Sequence, residues 1–226
     1  MKVLGIETST YAGSVALVEE GRVLGELYVD VRPAHAAKLA PMTAALLEMV
    51  EVDKSELDGV AVDAGPGYYT ALRVGVSAAK TLAYALGVPV VGVSSLAALA
   101  ANVPFVERPV CAVLDAKRSQ LYWALFGSGG LGAPRLSEDA VGGVADVVRS
   151  IPEGALVVGD VSVVARQVGR GGGPPPGELV FAEGPHNVPR ASVCALIGSG
   201  KLLGRGADEV ASLRPAYLRE FGGEAL

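Results

Sequence analysis

Three short stretches hold the residues whose types and spacing could do chemistry. The first runs Glu7-Thr8-Ser9-Thr10-Tyr11-Ala12-Gly13: a carboxylate ends an apolar run and three hydroxyls follow it. Hydroxyls and amides of such a turn can hold phosphate oxygens, and they equally stabilise a plain hairpin by bonding to their own backbone. The second, Asp63-Ala64-Gly65-Pro66-Gly67-Tyr68-Tyr69-Thr70, puts two glycines around a proline at the start of a helix. A helix N-terminus presents unpaired N–H groups and a positive dipole end to an anion, and glycine lets the backbone come close. It is not a phosphate loop of the Gly-Lys-Ser/Thr kind: no lysine follows, and Arg73 comes late, on the helix. By itself the stretch reads as a tight strand-to-helix corner. The third, Asp115-Ala116-Lys117-Arg118-Ser119-Gln120, sets an acid and two bases in a turn before an aromatic run. It reads either as a solvated hairpin or as the polar edge of a cleft. The residues placed toward a nucleotide or phosphate are Glu7, Thr8, Ser9, Thr10, Gly65, Pro66, Gly67, Thr70 and Asp115.

Other chemistries lack their residues. A metal-binding helix would repeat a ligand four positions after His35, and that position is Leu39. His186 lies in Gly-Pro-His-Asn-Val-Pro with no acidic cluster. No G-x-S-x-G occurs, so a serine hydrolase is unsupported. Cys111 and Cys194 stand far apart in apolar runs and read as buried reduced thiols. We assign no catalytic residue and no metal ligand.

The elements that must position these stretches follow from hydrophobic patterning. Residues 2–7, 14–19 and 22–31 read as three antiparallel strands, with Glu20-Gly21 as a hairpin turn. Residues 35–50 read as a helix with Leu39, Met42, Leu46 and Met49 on one face, and Pro41 is expected to kink it or delay its start. Residues 59–64 form a continuous apolar strand, suited to a sheet covered on both faces. A helix over about 70–86, a strand over 88–93 and a short helix over 95–101 capped by Ser94 or Ser95 complete the first half. After Asn102–Pro109 come a hairpin pair at 110–115 and 120–126, a loop at 127–134, and weakly alternating helical and strand signals. Residues 169–177, rich in glycine and proline, read as a flexible loop, and a last helix spans 191–203. The order suggests two related α/β domains, 1–104 and 105–226, with mixed sheets flanked by helices and the last helix packing back on the first domain.

The helix from Thr70 carries only Arg73 and Lys80 as charges, with small residues over much of its surface. A helix apolar on nearly all sides is buried or interfacial. We assign a subunit interface to Leu39, Met42 and Leu46 on one helix and Leu72, Gly75, Val76, Ala79 and Ala83 on the other.

Bulk numbers set limits. The 226 residues are 50% hydrophobic but only 5% aromatic, enough for a core of Ala, Val and Leu. A net charge of −5 makes the chain a poor stand-alone nucleic-acid binder. No apolar run reaches membrane-spanning length, and no signal peptide is read at the N-terminus, which points to the cytoplasm.

The ordered set GIETSTYAGSVAL, HAAKLAPM, GPGYYTALRVG, GVSSLAAL, DAKRSQLYWALF and RPAYLRE resembles the TsaB (YeaZ) family. The resemblance covers nearly the whole chain and is weakest over about 127–190. It implies a two-domain actin-like, Hsp70-like (ribonuclease H-like) fold. It further implies a non-catalytic accessory subunit of the bacterial machinery that forms N6-threonylcarbamoyladenosine at position 37 of tRNAs reading ANN codons. Its partners would be TsaD, the transferase, and TsaE, an ATPase, with pairing to itself or to TsaD through helices of the first domain and tRNA reached only through the complex. No nucleotide is expected on the chain alone, and ATP or ADP with magnesium only in the complex. TsaD-like proteins carry an H-x-x-x-H metal pair on the first helix, and His35 followed by Leu39 departs from it. The family's loop commonly reads G-P-G-S-F-T-G-L-R; here Tyr68, Tyr69 and Ala71 replace Ser, Phe and Gly, which puts direct phosphate binding by the loop in doubt. The alternatives are an actin-like kinase or ATPase, with Glu7 and Asp115 as its carboxylates, and an inactive peptidase-like homologue.

Overall fold

The computed structural model describes residues 1–30, 35–104, 106–128, 130–169, 179–204 and 206–218. The glycine-rich segment from 170 onward and the last residues of the tail lie outside them. The first half contains β1 (Lys2–Glu7), β2 (Ala12–Glu19), β3 (Arg22–Asp30), α1 (His35–Met49), β4 (Gly59–Gly65), α2 (Tyr69–Leu86), β5 (Val90–Ser94) and α3 (Ser95–Ala101). The second contains β6 (Val110–Lys117), β7 (Gln120–Phe126), β8 (Ala140–Gly143), α4 (Val144–Ser150), β9 (Leu156–Gly159), α5 (Val161–Gly169), β10 (Val180–Phe181) and α6 (Ala191–Gly204).

The two halves repeat one topology. The first sheet has the order β3-β2-β1-β4-β5 and the second β8-β7-β6-β9-β10. In each, the first three strands form an antiparallel meander, and two further strands add in parallel through helical crossovers. The carboxyl ends of the parallel strands and the turns that leave them collect at one edge of each sheet.

Both sheets are covered on both faces, which is why their central strands read as unbroken apolar runs. Leu4, Ile6, Val15, Leu17, Val60 and Val62 pack against Leu39, Met42 and Leu46 of α1 and Val76, Ala79 and Ala83 of α2. On the opposite face Val3, Val18, Ala61 and Val91 meet Cys194 and Ala195 of α6. The second sheet packs Val110, Ala112, Leu114, Ala124 and Phe126 against Leu96, Leu99 and Ala100 of α3. Its other face covers Cys111, Val113, Leu121 and Val157 with α4 and α5. The last helix of each half thus lies on the sheet of the other half. A Cβ at Gly198 would stand 2.3 Å from the Ala61 Cβ, so α6 approaches the first sheet at a distance only glycine allows. Glu26 on β3 anchors the start of α6: its carboxylate accepts bonds from Arg190 (2.6 and 3.0 Å), Ser192 N (3.1 Å) and Ser192 Oγ (3.0 Å).

Several boundaries differ from the sequence reading. Pro41 sits inside α1 without delaying its start. Pro41 is exposed, as is Ala37, whose carbonyl it cannot reach with an N–H, so the orphaned acceptor faces water. Strand β2 starts at Ala12 rather than 14, and β5 at Val90 rather than 88. The short edge strands β8 and β10 were not expected; they exist by pairing with β7 and β9, not by a pattern of their own. Ser94 caps α3, accepting from Ala97 N at 3.2 Å. Among the described residues no helix is long and apolar enough to cross a membrane.

Candidate functional site: a tyrosine-walled cleft over a buried carboxylate pair

Four turns converge between the two sheets: β1–β2, β4–α2, β6–β7 and the exit of β9. They enclose a cavity of about 610 Å³. Of the residues placed there from sequence, Ser9, Thr10, Gly67 and Asp115 line it. Glu7 and Thr8 lie beneath its floor, at 0% and 1% exposure. Gly65 and Pro66 are buried behind the corner and Thr70 is exposed at the start of α2, so none of these three lines the cavity.

The glycine corner is closed by its own bonds. Tyr68 N donates to Ser9 O at 2.7 Å, clamping the β4–α2 turn to the β1–β2 turn. A Cβ at Gly67 would stand 2.4 Å from that Ser9 carbonyl oxygen. The Ser9 amide and hydroxyl both donate to Glu7 Oε1 at 2.5 Å, and the Thr8 hydroxyl donates to Ala71 O at 2.8 Å. Thr8 in turn explains Gly75, where a Cβ would come within 2.3 Å of Thr8 Oγ1. The Ser9 and Thr8 hydroxyls are thus committed inward, while Thr10, whose Oγ1 accepts from Ala12 N at 3.2 Å, lines the cavity. The Gly65–Pro66 peptide is cis.

Glu7 ends β1 and Asp63 stands two residues before the end of the adjacent parallel β4, each one step beyond the Ile6–Val62 pair. Both side chains are fully buried. Asp63 Oδ1 accepts from Gly65 N (2.8 Å) and Ser95 Oγ (2.5 Å). Glu7 Oε2 and Asp63 Oδ2 are buried without a hydrogen-bond partner, an arrangement that one shared proton completes. Burial, then the negative charge of Asp63, pushes the Glu7 carboxyl well above the usual carboxylate range. Burial also raises Asp63, to about 6, against the opposing bonds from Ser95 and Gly65.

The opposite half supplies a second acidic pair at the equivalent place, this one lining the cavity. Asp160 Oδ2 accepts from Asp115 N at 2.7 Å, and burial raises the Asp160 carboxyl. Burial works to raise Asp115 as well, yet the bonds from the Lys117 ammonium and amide and the charges of Lys117 and Arg166 prevail and lower it. The β6–β7 turn holds Lys117, Arg118 and Ser119 in succession at φ 63, 53 and 56. Three consecutive non-glycine residues in the left-handed region store strain, about 1–3 kcal/mol each.

Sequence reasoning missed the aromatic wall. The chain has seven tyrosines, and six of them line this one cavity: Tyr11, Tyr28, Tyr68, Tyr69, Tyr122 and Tyr217. Tyr11 and Tyr68 meet with centroids 5.2 Å apart, and Tyr69 and Tyr217 at 4.9 Å. The Arg73 guanidinium stacks 4.2 Å from the Tyr69 centroid and donates to Tyr217 Oη at 3.0 Å, which fastens the C-terminal segment to α2. The only signal in the sequence was that most tyrosines stand in or beside turns.

The eight residues assigned to a subunit interface all face inward and are buried within the chain. Helix α2 turns its small residues toward β1 and β4, and a Cβ at Gly75 would meet Thr8. What these helices show outward are their neighbours: Ala37, Ala40, Ala44 and Met49 on α1, and Ser77, Tyr84 and Ala85 on α2. His35 begins α1, and its side chain lies outside the described residues.

Comparison with known proteins agrees with this fold. The family model described as TsaD, tRNA N6-adenosine threonylcarbamoyltransferase, matches residues 29–163, more than half of the chain. The Bacillus subtilis tRNA threonylcarbamoyladenosine biosynthesis protein TsaB is 36% identical over 126 residues, 56% of this chain and 55% of that protein. The match therefore spans only about half the length of this TsaB-named relative. An uncharacterized protein of Mycobacterium tuberculosis H37Rv is 34% identical over 220 residues, 96% of this chain and 91% of its own length. The structure of YeaZ from Pseudomonas aeruginosa superposes with a TM-score of 0.80 at 28% identity, covering 96% of this chain and 99% of that one. The paired mixed sheets are the actin-like, ribonuclease H-like fold. The chain belongs to the TsaB (YeaZ) family.

Proposed function

We propose that this chain is a non-catalytic scaffold in the formation of N6-threonylcarbamoyladenosine at position 37 of tRNAs reading ANN codons. In this reading it binds and activates TsaD, recruits TsaE, and works in the cytoplasm. Its acidic net charge of −5 suits contact with tRNA through the complex rather than directly. Magnesium–ATP chemistry would belong to the partners, because the Ser9 and Thr8 hydroxyls beside the glycine corner are committed inward.

The observation that carries a docking role is the outward face of α1 and α2. Met49 is 71% exposed and Tyr84 83%, and exposed alanines (Ala37, Ala40, Ala44 and Ala85) stand on the same two helices, with Lys38, Glu48 and Arg73 as their exposed charges. Such a face lets a second helical pair approach closely, whether from TsaD or from another copy of this chain.

Ala44→Glu and Ala85→Glu test it. Both positions are exposed, so the fold should survive, as circular dichroism would show. Size-exclusion chromatography with light scattering should show loss of pairing with TsaD, and a reconstituted tRNA modification assay should lose activity. Unchanged pairing and unchanged modification with both variants would refute this face as the docking surface.

A further inference from the structure

We propose that β3, the outer strand of the first sheet, pairs with the β3 of a second copy of this chain. The outer strands of the two sheets are β3, β5, β8 and β10, and all but β3 are blunted. On β5 the segment after α6 takes the outer side: Asp208 bridges Val90, its amide donates to Val90 O at 2.9 Å, and its carboxylate accepts from Gly92 N at 2.7 Å. Strand β8 has four residues and β10 two. Strand β3 has nine, with no proline and no lysine, and Val23, Tyr28 and Val29 stand exposed on it. Among the described residues nothing pairs with its outer side. Such an edge presents a row of unpaired N–H and C=O groups to another strand.

The occupant follows from the pattern of β3 itself. Gly25 and Leu27 stand opposite Leu17 and Val15, on the α1 side of the sheet. Val23 stands opposite Val18 and Tyr28 opposite Ser14, on the α6 side, where Val18 meets Ala195 and Ser14 Oγ accepts from Ala191 N at 3.0 Å. The pairing to β2 passes from Leu17–Gly25 straight to Val18–Val23, so Leu24 is the extra residue of a bulge. Two copies laid antiparallel about Glu26 set Gly25 against Leu27 and, past the bulge, Val23 against Tyr28, each contact occurring on both sides of the axis. Every such pair joins residues of the same face, which a slip of one residue would undo. The Glu26 carboxylates that meet at the axis are already held by Arg190 and Ser192. Pairing about Tyr28 instead would set Glu26 against Asp30, acid against acid. The strand is thus complementary to itself, as a two-fold dimer requires. Helix α2 lies over β4 and β1, away from this edge, so the contact stands or falls independently of a partner on α2.

Sedimentation velocity of the full chain from about 10 μM to about 1 mM tests it, a range suited to a contact below the standard interface size. A reversible dimer is expected. Val23→Glu and Tyr28→Lys should each weaken it by about 2–30-fold, because the Val23–Tyr28 pair is lost on both sides of the axis. The two substitutions together should restore it, since the new charges face one another only across the two copies; within one chain they stand well apart along the strand. Both side chains are exposed, so the fold should survive, and circular dichroism verifies it for each variant. Four results overturn the proposal: a monomer throughout, single variants that dimerise like the parent, a combined variant as weak as the single ones, or a dimer lost in Ala85→Glu and kept in Val23→Glu. The last would place the contact on the helices.

Discussion

Replacing Asp63 by asparagine should stabilise this protein at alkaline pH and do little at acid pH. Asparagine keeps an oxygen for the bonds from Gly65 N and Ser95 Oγ, and its amide turns a donor toward the unpartnered oxygen of Glu7. The magnitude follows from the proton equilibrium. Burial lifts the folded-state value of Asp63 from 3.8 to about 6, so the folded chain holds this proton more tightly than the unfolded chain does. Stability is then fully present below the unfolded value and is lost as pH climbs from about 4 through about 6. The loss amounts to at most about 3 kcal/mol at pH 8, at 1.36 kcal/mol for each step of ten in the equilibrium. Asp63→Asn removes that loss, and a chain of this size gains about 2–4 °C in Tm for each kcal/mol. Thermal unfolding of parent and variant, followed by circular dichroism at pH 4.5, 6 and 8, measures it as the difference between the two curves. A variant no more stable than the parent at pH 8, or a gain as large at pH 4.5 as at pH 8, would refute the reading of a buried pair that shares one proton.

Three further outcomes are expected. Gly75→Ala places a methyl 2.3 Å from Thr8 Oγ1 and should lower stability by about 1–3 kcal/mol, read as a fall in Tm. Arg190→Ala leaves the Glu26 carboxylate with only its Ser192 donors and should destabilise by about 1–3 kcal/mol, with faster amide exchange in α6 than in the second sheet. Burial pushes the Cys111 thiol to about 12 and Cys194 well above its usual value; a thiol reagent at pH 8 should find neither in the native protein and both after denaturation in urea.

The fold was legible in the sequence where local pattern and burial agree. Apolar runs such as Lys2–Glu7 and Gly59–Gly65 are sandwiched strands, and the three- and four-residue spacing of Leu39, Met42 and Leu46 marks the buried face of α1. Repetition of one topology in both halves was readable only as a suggestion, because β8 and β10 carry no pattern of their own and form by hydrogen bonding to a neighbour.

The site divides in the same way. By itself the sequence determined that a carboxylate, a hydroxyl turn and a glycine corner stand at strand ends, since strand patterning and turn chemistry are local properties. Which way those groups point was decided by the tertiary structure. Adjacent strands pressed the Glu7 and Asp63 side chains together out of water, and the approach of two turns committed Ser9 and Thr8 inward. The same packing turned the small residues of α2 toward the sheet and left its neighbours outside. Tyrosines from positions 11 to 217 share one cleft because the β1–β2 turn, β3, the β4–α2 corner, β7 and the C-terminal segment meet there. Spacing along a chain cannot encode that convergence, since these segments lie far apart in sequence and only the tertiary structure brings their rings together.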